Sequence, residues 1–338
     1  MANAHKTQAE PTLYDWGLFA LIVVFGGSSF TMIRAAVETI PPQAIAAGRL
    51  WVAAILVYFI ARAAGRRLPP PLIRARTGWR VRRSWLWMLA VGAVGNLLPF
   101  FIFPWAQQHV ESGLAGVYMA FMPIWTVALA FLFASERLTP GKLAGVALGF
   151  GGVIILMGPD AVKGALTSDL AAQLGLLFAT FLYAASAVIS RRAPPIRPRV
   201  FAAGMLLCAA ILATPPLFFT DLHMNEWSLK SVFGVIWLGV FPTGLNGVLI
   251  IMVIRRVGAG FMAMANYVVP PIAVALGALI YHERLETSVF IALALILAGI
   301  AVSQRAPFGK KRAPAIETGD GIAAELEPMV EREAQTRM

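Results

Sequence analysis

A chain of 338 residues that is 59% hydrophobic and only 13% charged is too apolar for a soluble fold; soluble domains carry roughly 45–50% apolar and about 25% charged residues. Its mean hydropathy is +0.73. The net charge of +11 invites a nucleic-acid role, but the placement of the basic residues assigns that charge to membrane orientation.

Residues 1–13 are polar and read as a cytoplasmic N-terminal tail. Ten apolar segments follow, at about 14–33, 43–63, 85–105, 112–134, 140–158, 169–190, 199–219, 231–254, 259–281 and 287–304. Each approaches the ~20 residues that cross roughly 30 Å of hydrocarbon, and lipid forces the backbone of such runs into helix. A transmembrane barrel would show alternating strands of about ten residues, whereas these runs are continuous.

Segment 1 holds Gly26-Gly27-Ser28-Ser29-Phe30 and lacks a small-residue cleavage site before Arg34, so it reads as an uncleaved span. Segment 2 carries Arg49, the one charge well inside a span, and the Arg-rich loop over 62–83 reads as topology signal and contact with anionic lipid. Asn96 falls in segment 3; Tyr118, Pro123 and Trp125 fall in segment 4. Segment 5 presents Gly141, Gly145, Gly149 and Gly152 mostly along one face, which favours close helix packing in the bundle or at a homodimer contact. Ser186 lies in segment 6, and Cys208, a packing residue with no disulfide partner, in segment 7. Asn246 lies in segment 8; Asn266, Tyr267, Pro270 and Pro271 lie in segment 9. After segment 10, residues 305–338 turn to Pro, Gly and charge and are expected to form a disordered cytoplasmic tail.

Assigning Lys and Arg to alternate sides of ten spans puts 23 on one side and 4 on the other. By the positive-inside rule both termini are then cytoplasmic. A missed span would scramble that alternation.

Segments 4 and 9 share a pattern. Ser135-Glu136-Arg137-Leu138 returns as His282-Glu283-Arg284-Leu285 after 147 positions, and Val110, Gly113, Pro123, Leu129, Leu148 and Gly152 return as Val257, Gly260, Pro270, Leu276, Leu295 and Gly299. Pro42, Ala46-Ala47-Gly48 and Leu50 match Pro198, Ala202-Ala203-Gly204 and Leu206 at a shift of 156. Five spans separate the copies, so the chain reads as two inverted five-helix repeats, 14–158 and 159–304, within an all-α polytopic membrane protein. Inverted repeats build two alternative gates around one midplane site in many secondary transporters.

The order of these motifs resembles the drug/metabolite transporter superfamily, EamA type, over about 14–304. The resemblance rests on Ala115 to Pro123 leading into Ser135-Glu136-Arg137-Leu138, on Asn266 to Pro270 leading into Glu283-Arg284-Leu285, and on Gly48-Arg49-Leu50. Segment 1 lacks the Trp that often precedes Gly-Ser in the family. The resemblance implies a carrier of small metabolites, often an exporter of amino acids or related compounds, in the inner (cytoplasmic) membrane.

No Asp or Glu falls near a predicted midplane, where cation-coupled carriers commonly keep one. Facilitated diffusion or exchange is therefore expected. Arg49, whose repeat counterpart is Met205, reads either as a receptor for a substrate anion or as a structural partner of backbone carbonyls. Pro123 and Pro270 each free the carbonyl four residues earlier, with Pro271 deepening the second break, and are hinge or gate candidates. Arg49, Asn96, Tyr118, Trp125, Asn246, Asn266, Tyr267, Ser28 and Ser186 are the substrate-cavity candidates; for each Asn, an interhelical hydrogen bond is the competing role. The Glu-Arg pairs are expected to be structural, Glu capping the helix that follows and Arg meeting lipid phosphate, with a gate latch as the alternative.

An intramembrane enzyme would need a helical His near Ser, but His5, His109, His223 and His282 lie in tails or at helix ends. No His or Cys cluster has metal-ligand spacing, so neither metal nor other cofactor is expected. A channel without a saturable site is the remaining rival, and no filter-like loop is visible. The expected function is alternating-access transport, in the export direction, of a small amphipathic metabolite, with lipids as the other partner.

Overall fold

The computed structural model describes residues 11–75, 78–134, 139–163, 168–223, 226–258, 261–262 and 264–305. The helices are α1 (Leu13–Val37), α2 (Pro42–Ala63), α3 (Arg83–Ala106), α4 (Ser112–Met119), α5 (Met122–Ala134), α6 (Pro140–Lys163), α7 (Ser168–Arg192) and α8 (Pro198–Ala213). After these come α9, which runs through Leu229–Leu238, Gly239–Leu245 and Asn246–Arg256, then α10 (Ala265–Tyr281) and α11 (Thr287–Arg305). Segment 4 of the sequence corresponds to α4 and α5 together. Eight helical stretches are long and apolar enough to span a membrane, and two shorter apolar helices, Ala265–Tyr281 and Thr287–Ser303, follow them. Large apolar side chains such as Ile55, Phe59, Leu132, Ile154, Phe178, Leu279 and Phe290 stand exposed along these helices, which only lipid solvates favourably over so wide a surface. The chain is a multi-pass, mostly helical membrane protein.

One element departs from the all-α expectation. The basic loop contains an antiparallel hairpin, β1 (Leu72–Ala75) with β2 (Gly78–Val81), pairing Leu72 with Val81 and Arg74 with Trp79. The Trp85 indole N–H donates to the Pro69 carbonyl at 3.0 Å and ties the loop to α3.

Local chemistry sets the helix starts. Thr12 and Asp15 form a reciprocal capping box at α1, and Pro42 and Pro198 open α2 and α8 at a position that needs no amide donor. Residue pairs at two helix contacts follow the shifts of the sequence repeat. A Cβ on Gly145 would press to 2.5 Å from the Gly299 carbonyl, and one on Gly152 to 2.9 Å from the Ala292 carbonyl; the 147-residue shift exchanges these two pairs. Gly92 packs on the Met205 carbonyl and Gly239 on the Arg49 carbonyl; the two glycines are related by the 147-residue shift, and Arg49 and Met205 by the shift of 156. The glycine face of α6 is thus used against α11 inside the chain.

The two proline-bearing spans differ. Segment 4 breaks just ahead of Pro123, where the amides of Ala120 and Phe121 turn to carbonyls three residues back at 3.0 Å each. Segment 9 does not break at Pro270 and Pro271, contrary to expectation: α10 runs through both. Ile272 presses on Gly27 of α1 and Ala273 on Gly116 of α4, so neighbours hold α10 from two sides.

Candidate substrate-binding site

Arg49 sits in the bundle interior with 6% of its surface exposed. Its Nε–H donates to Thr243 Oγ1 at 2.6 Å, an Nη donates to Ser29 Oγ at 3.4 Å, and its guanidinium lies 3.7 Å from the centre of the Phe100 ring. Tyr183 of α7 is within electrostatic reach. Helices α1, α2, α3, α7 and α9 therefore converge on one cation. Its hydrogen-bond partners are hydroxyls, and among the described residues no carboxylate pairs with it.

Thr243 is placed by the helix itself. The middle of α9, Gly239–Leu245, is π-helical and contains Pro242. Pro242 has no amide to offer the Leu238 carbonyl. The Thr243 hydroxyl donates to that carbonyl at 2.7 Å and turns its lone pairs toward Arg49. A second π-helical stretch, Ala93–Leu97, lies at the corresponding place in α3 just ahead of Pro99. Such stretches recur at functional sites because they re-aim side chains and leave carbonyls open.

An aromatic wall adjoins this centre. The Trp237 indole N–H donates to Ser28 Oγ at 3.1 Å, Trp237 lies 4.3 Å from Phe241, and Phe241 lies 5.0 Å from Phe25 (ring centroids).

Of the sequence candidates, Arg49 and Ser28 belong to this region. Ser186 lies against Gly95 where α7 crosses α3, and Asn96 is half-buried in the π-helical stretch of α3. Asn246 is buried one turn beyond Thr243, its Oδ1 without a hydrogen-bond partner. Tyr118 and Trp125 serve other contacts: the Tyr118 hydroxyl donates to Gln173 Oε1 at 2.7 Å, and Trp125 packs edge-on to Phe121, Phe150 and Phe181. Asn266 is exposed, and Tyr267 packs half-buried against the main core. Sequence reasoning missed Ser29, Phe100, Tyr183, Trp237 and Thr243. The last had a legible signal, since the 147-residue shift relates it to Asn96.

A second polar centre lies at one end of the bundle. The Glu283 carboxylate accepts from the amide and hydroxyl of Ser112 at 2.8 and 2.6 Å and from the Gly113 amide at 2.9 Å. Glu283 was expected to cap the helix after it; it caps α4, because α10 delivers it beside the four unsatisfied amides at that N-terminus. Around it, Arg34 donates to the Gln107 carbonyl at 3.0 Å and Lys230 pairs with Glu38 at 2.6 Å. The related pair Glu136-Arg137 lies outside the described residues. At the opposite end of α1, Asp15 pairs with Arg256 at 2.6 Å.

The model of the EamA-like transporter family matches the chain twice, over residues 16–158 and 170–304. The chain belongs to that family. As an EamA-family protein it is a membrane transporter, and no observation points to catalysis. The inner membrane transporter YedA of Escherichia coli strain K12 is 28% identical over 287 residues, which covers 84% of this chain and 88% of its own. A "probable terminal-alkyne amino-acid exporter" of Streptantibioticus cattleyicolor is 24% identical, covering 88% of this chain and 95% of its own. A "probable amino-acid metabolite efflux pump" of Escherichia coli strain K12 is also 24% identical, covering 90% of this chain and 98% of its own. A solved crystal structure shares the fold at a TM-score of 0.58 with 19% identity, over 86% of this chain and 96% of its own.

Proposed function

We propose that this EamA-family transporter moves a small amphipathic metabolite bearing a carboxylate across the inner membrane, exporting it by alternating access. The observation that carries the reading is Arg49, a buried guanidinium held by two hydroxyls and an aromatic face, without a carboxylate partner among the described residues. A central Arg costs roughly 2.5–3.5 kcal/mol to insert, and hydroxyls supply no countercharge. A substrate carboxylate supplies it, while Phe100 and the Phe25–Phe241–Trp237 wall offer apolar contact. The exporter names of two relatives support the same class.

The transport unit in this reading is a pair of inverted five-helix halves, 14–158 and 159–304, with the tails 1–13 and 305–338 in the cytoplasm. The two family matches, the segregation of basic residues and the shift-related glycine contacts support it. Glu283, which bridges the halves at one end, then acts as a latch that holds that end closed. With no midplane carboxylate in the sequence, exchange or facilitated diffusion follows as the mode.

Counterflow in proteoliposomes tests the reading. Arg49→Gln is expected to lose carboxylated substrates while keeping a neutral analogue such as the amide; equal loss of both makes Arg49 structural. Reporter fusions that put residues 137–141 and 283–286 in one compartment would refute the inverted arrangement.

A further inference from the structure

We infer that the cavity between the loop after α2, the start of α8 and the far half of α9 binds the phosphodiester headgroup of an anionic phospholipid. The cavity holds about 220 Å³ and is lined by Arg66, Arg197, Pro198, Arg199, Val248, Ile251 and Met252. Its two walls differ in chemistry.

Three exposed arginines from two chain segments line one wall, Arg66 just beyond α2 and Arg197 and Arg199 flanking the first residue of α8. Among the described residues, no acidic residue lines the space and none of the three is in an ion pair. Cations of one sign lining one concave space favour an anion there. Guanidinium is the side chain whose planar fork matches two phosphate oxygens at once. The other wall is apolar, with Val248, Ile251 and Met252 spaced to share one face of α9. A free phosphate would use the arginines and leave that wall in water. A phospholipid uses both, because its glycerol and first methylenes follow the phosphate directly. Basic pockets between membrane helices on the cytoplasmic side take acidic headgroups in this way.

The inference rests on the proposed orientation, with this end toward the cytoplasmic leaflet, but its test reads binding alone and does not depend on transport. Full-length protein in mild detergent is titrated with phosphatidylglycerol or phosphatidylcholine and followed by native mass spectrometry. Wild type is expected to retain phosphatidylglycerol at least roughly tenfold better, since cations near an anionic headgroup favour it over a zwitterionic one. Arg66→Gln, Arg197→Gln and Arg199→Gln combined should abolish the preference. The corresponding triple Lys variant, which keeps the charge, should retain most of it and so separates lost charge from lost fold. Arg82→Gln with Arg83→Gln removes charge from the same basic loop outside the cavity and should leave the preference intact. Equal retention of the two lipids by wild type overturns the inference, as does an equal loss in the Arg82/Arg83 variant. Displacement of phosphatidylglycerol by excess inorganic phosphate, with glycerophosphate binding as well as the lipid, would assign the cavity to a soluble phosphate and also overturn it.

Discussion

Glu283 and Ser112 lie far apart in the chain, yet the Glu283 carboxylate accepts from both the Ser112 amide at 2.8 Å and its hydroxyl at 2.6 Å. With the Gly113 amide at 2.9 Å, one side chain satisfies three donors at the start of α4. Replacing Glu283 by Ala should lower stability by about 2–3 kcal/mol, because hydrogen bonds to a charged acceptor contribute about 1.5–3 kcal/mol and the amides are left unpaired. Glu283→Gln keeps one acceptor oxygen and should lose roughly half as much. Thermal unfolding in detergent measures both; an Ala variant that melts with wild type means the cap holds nothing.

Glu111 adjoins that cap and is held above the usual carboxylate range by burial first and by the Glu283 charge second, with Arg34 opposing. A carboxyl whose folded pKa is raised binds its proton more tightly in the native state. Its contribution to stability therefore falls as pH rises from the unfolded value through the folded one. Glu111→Gln should stabilise the protein at neutral pH and make little difference below the ordinary Glu range. Melting curves across pH check this, and a Gln variant less stable than wild type at neutral pH contradicts it.

The Thr243 hydroxyl donates to the Leu238 carbonyl and receives the Arg49 Nε–H. Thr243→Val preserves the shape and removes both hydrogen bonds, at a cost of about 1–3 kcal/mol for the buried groups left unpaired. Thr243→Ser should restore most of it. If Val and Ser behave alike in unfolding and in substrate affinity, the hydroxyl does not position Arg49.

Gly145 and Gly152 bring α6 against the Gly299 and Ala292 carbonyls of α11. Since a Cβ at either position would stand 2.5–2.9 Å from a backbone oxygen, Val at either should separate the helices and destabilise by about 1–3 kcal/mol or more. Gly151→Ala, which meets nothing within 4 Å, serves as the control. Size-exclusion profiles and melting temperatures report the difference. A Gly145→Val protein as stable as the control would show that α6 and α11 do not need this closeness.

Composition and periodicity determined what depends on each segment by itself. Apolar runs of spanning length named the membrane solvent, and residues 110–152 resemble residues 257–299 in sequence. Arg49 stood out because a charge in an apolar run is costly wherever the run packs. The partners were a different matter. Helical spacing puts Tyr118 and Trp125 on one face of their segment, but only the neighbouring helix decides that this face meets Gln173 and Phe181 of α7. A proline frees a carbonyl wherever it stands, yet the chain breaks before Pro123 and stays helical through Pro270, where Gly27 and Gly116 admit α10 between two neighbours. Glu283 likewise reads as a cap for some helix end, and only the approach of α10 to α4 selects Ser112. Local sequence sets what a residue offers; long-range packing in a close-packed bundle sets which group receives it.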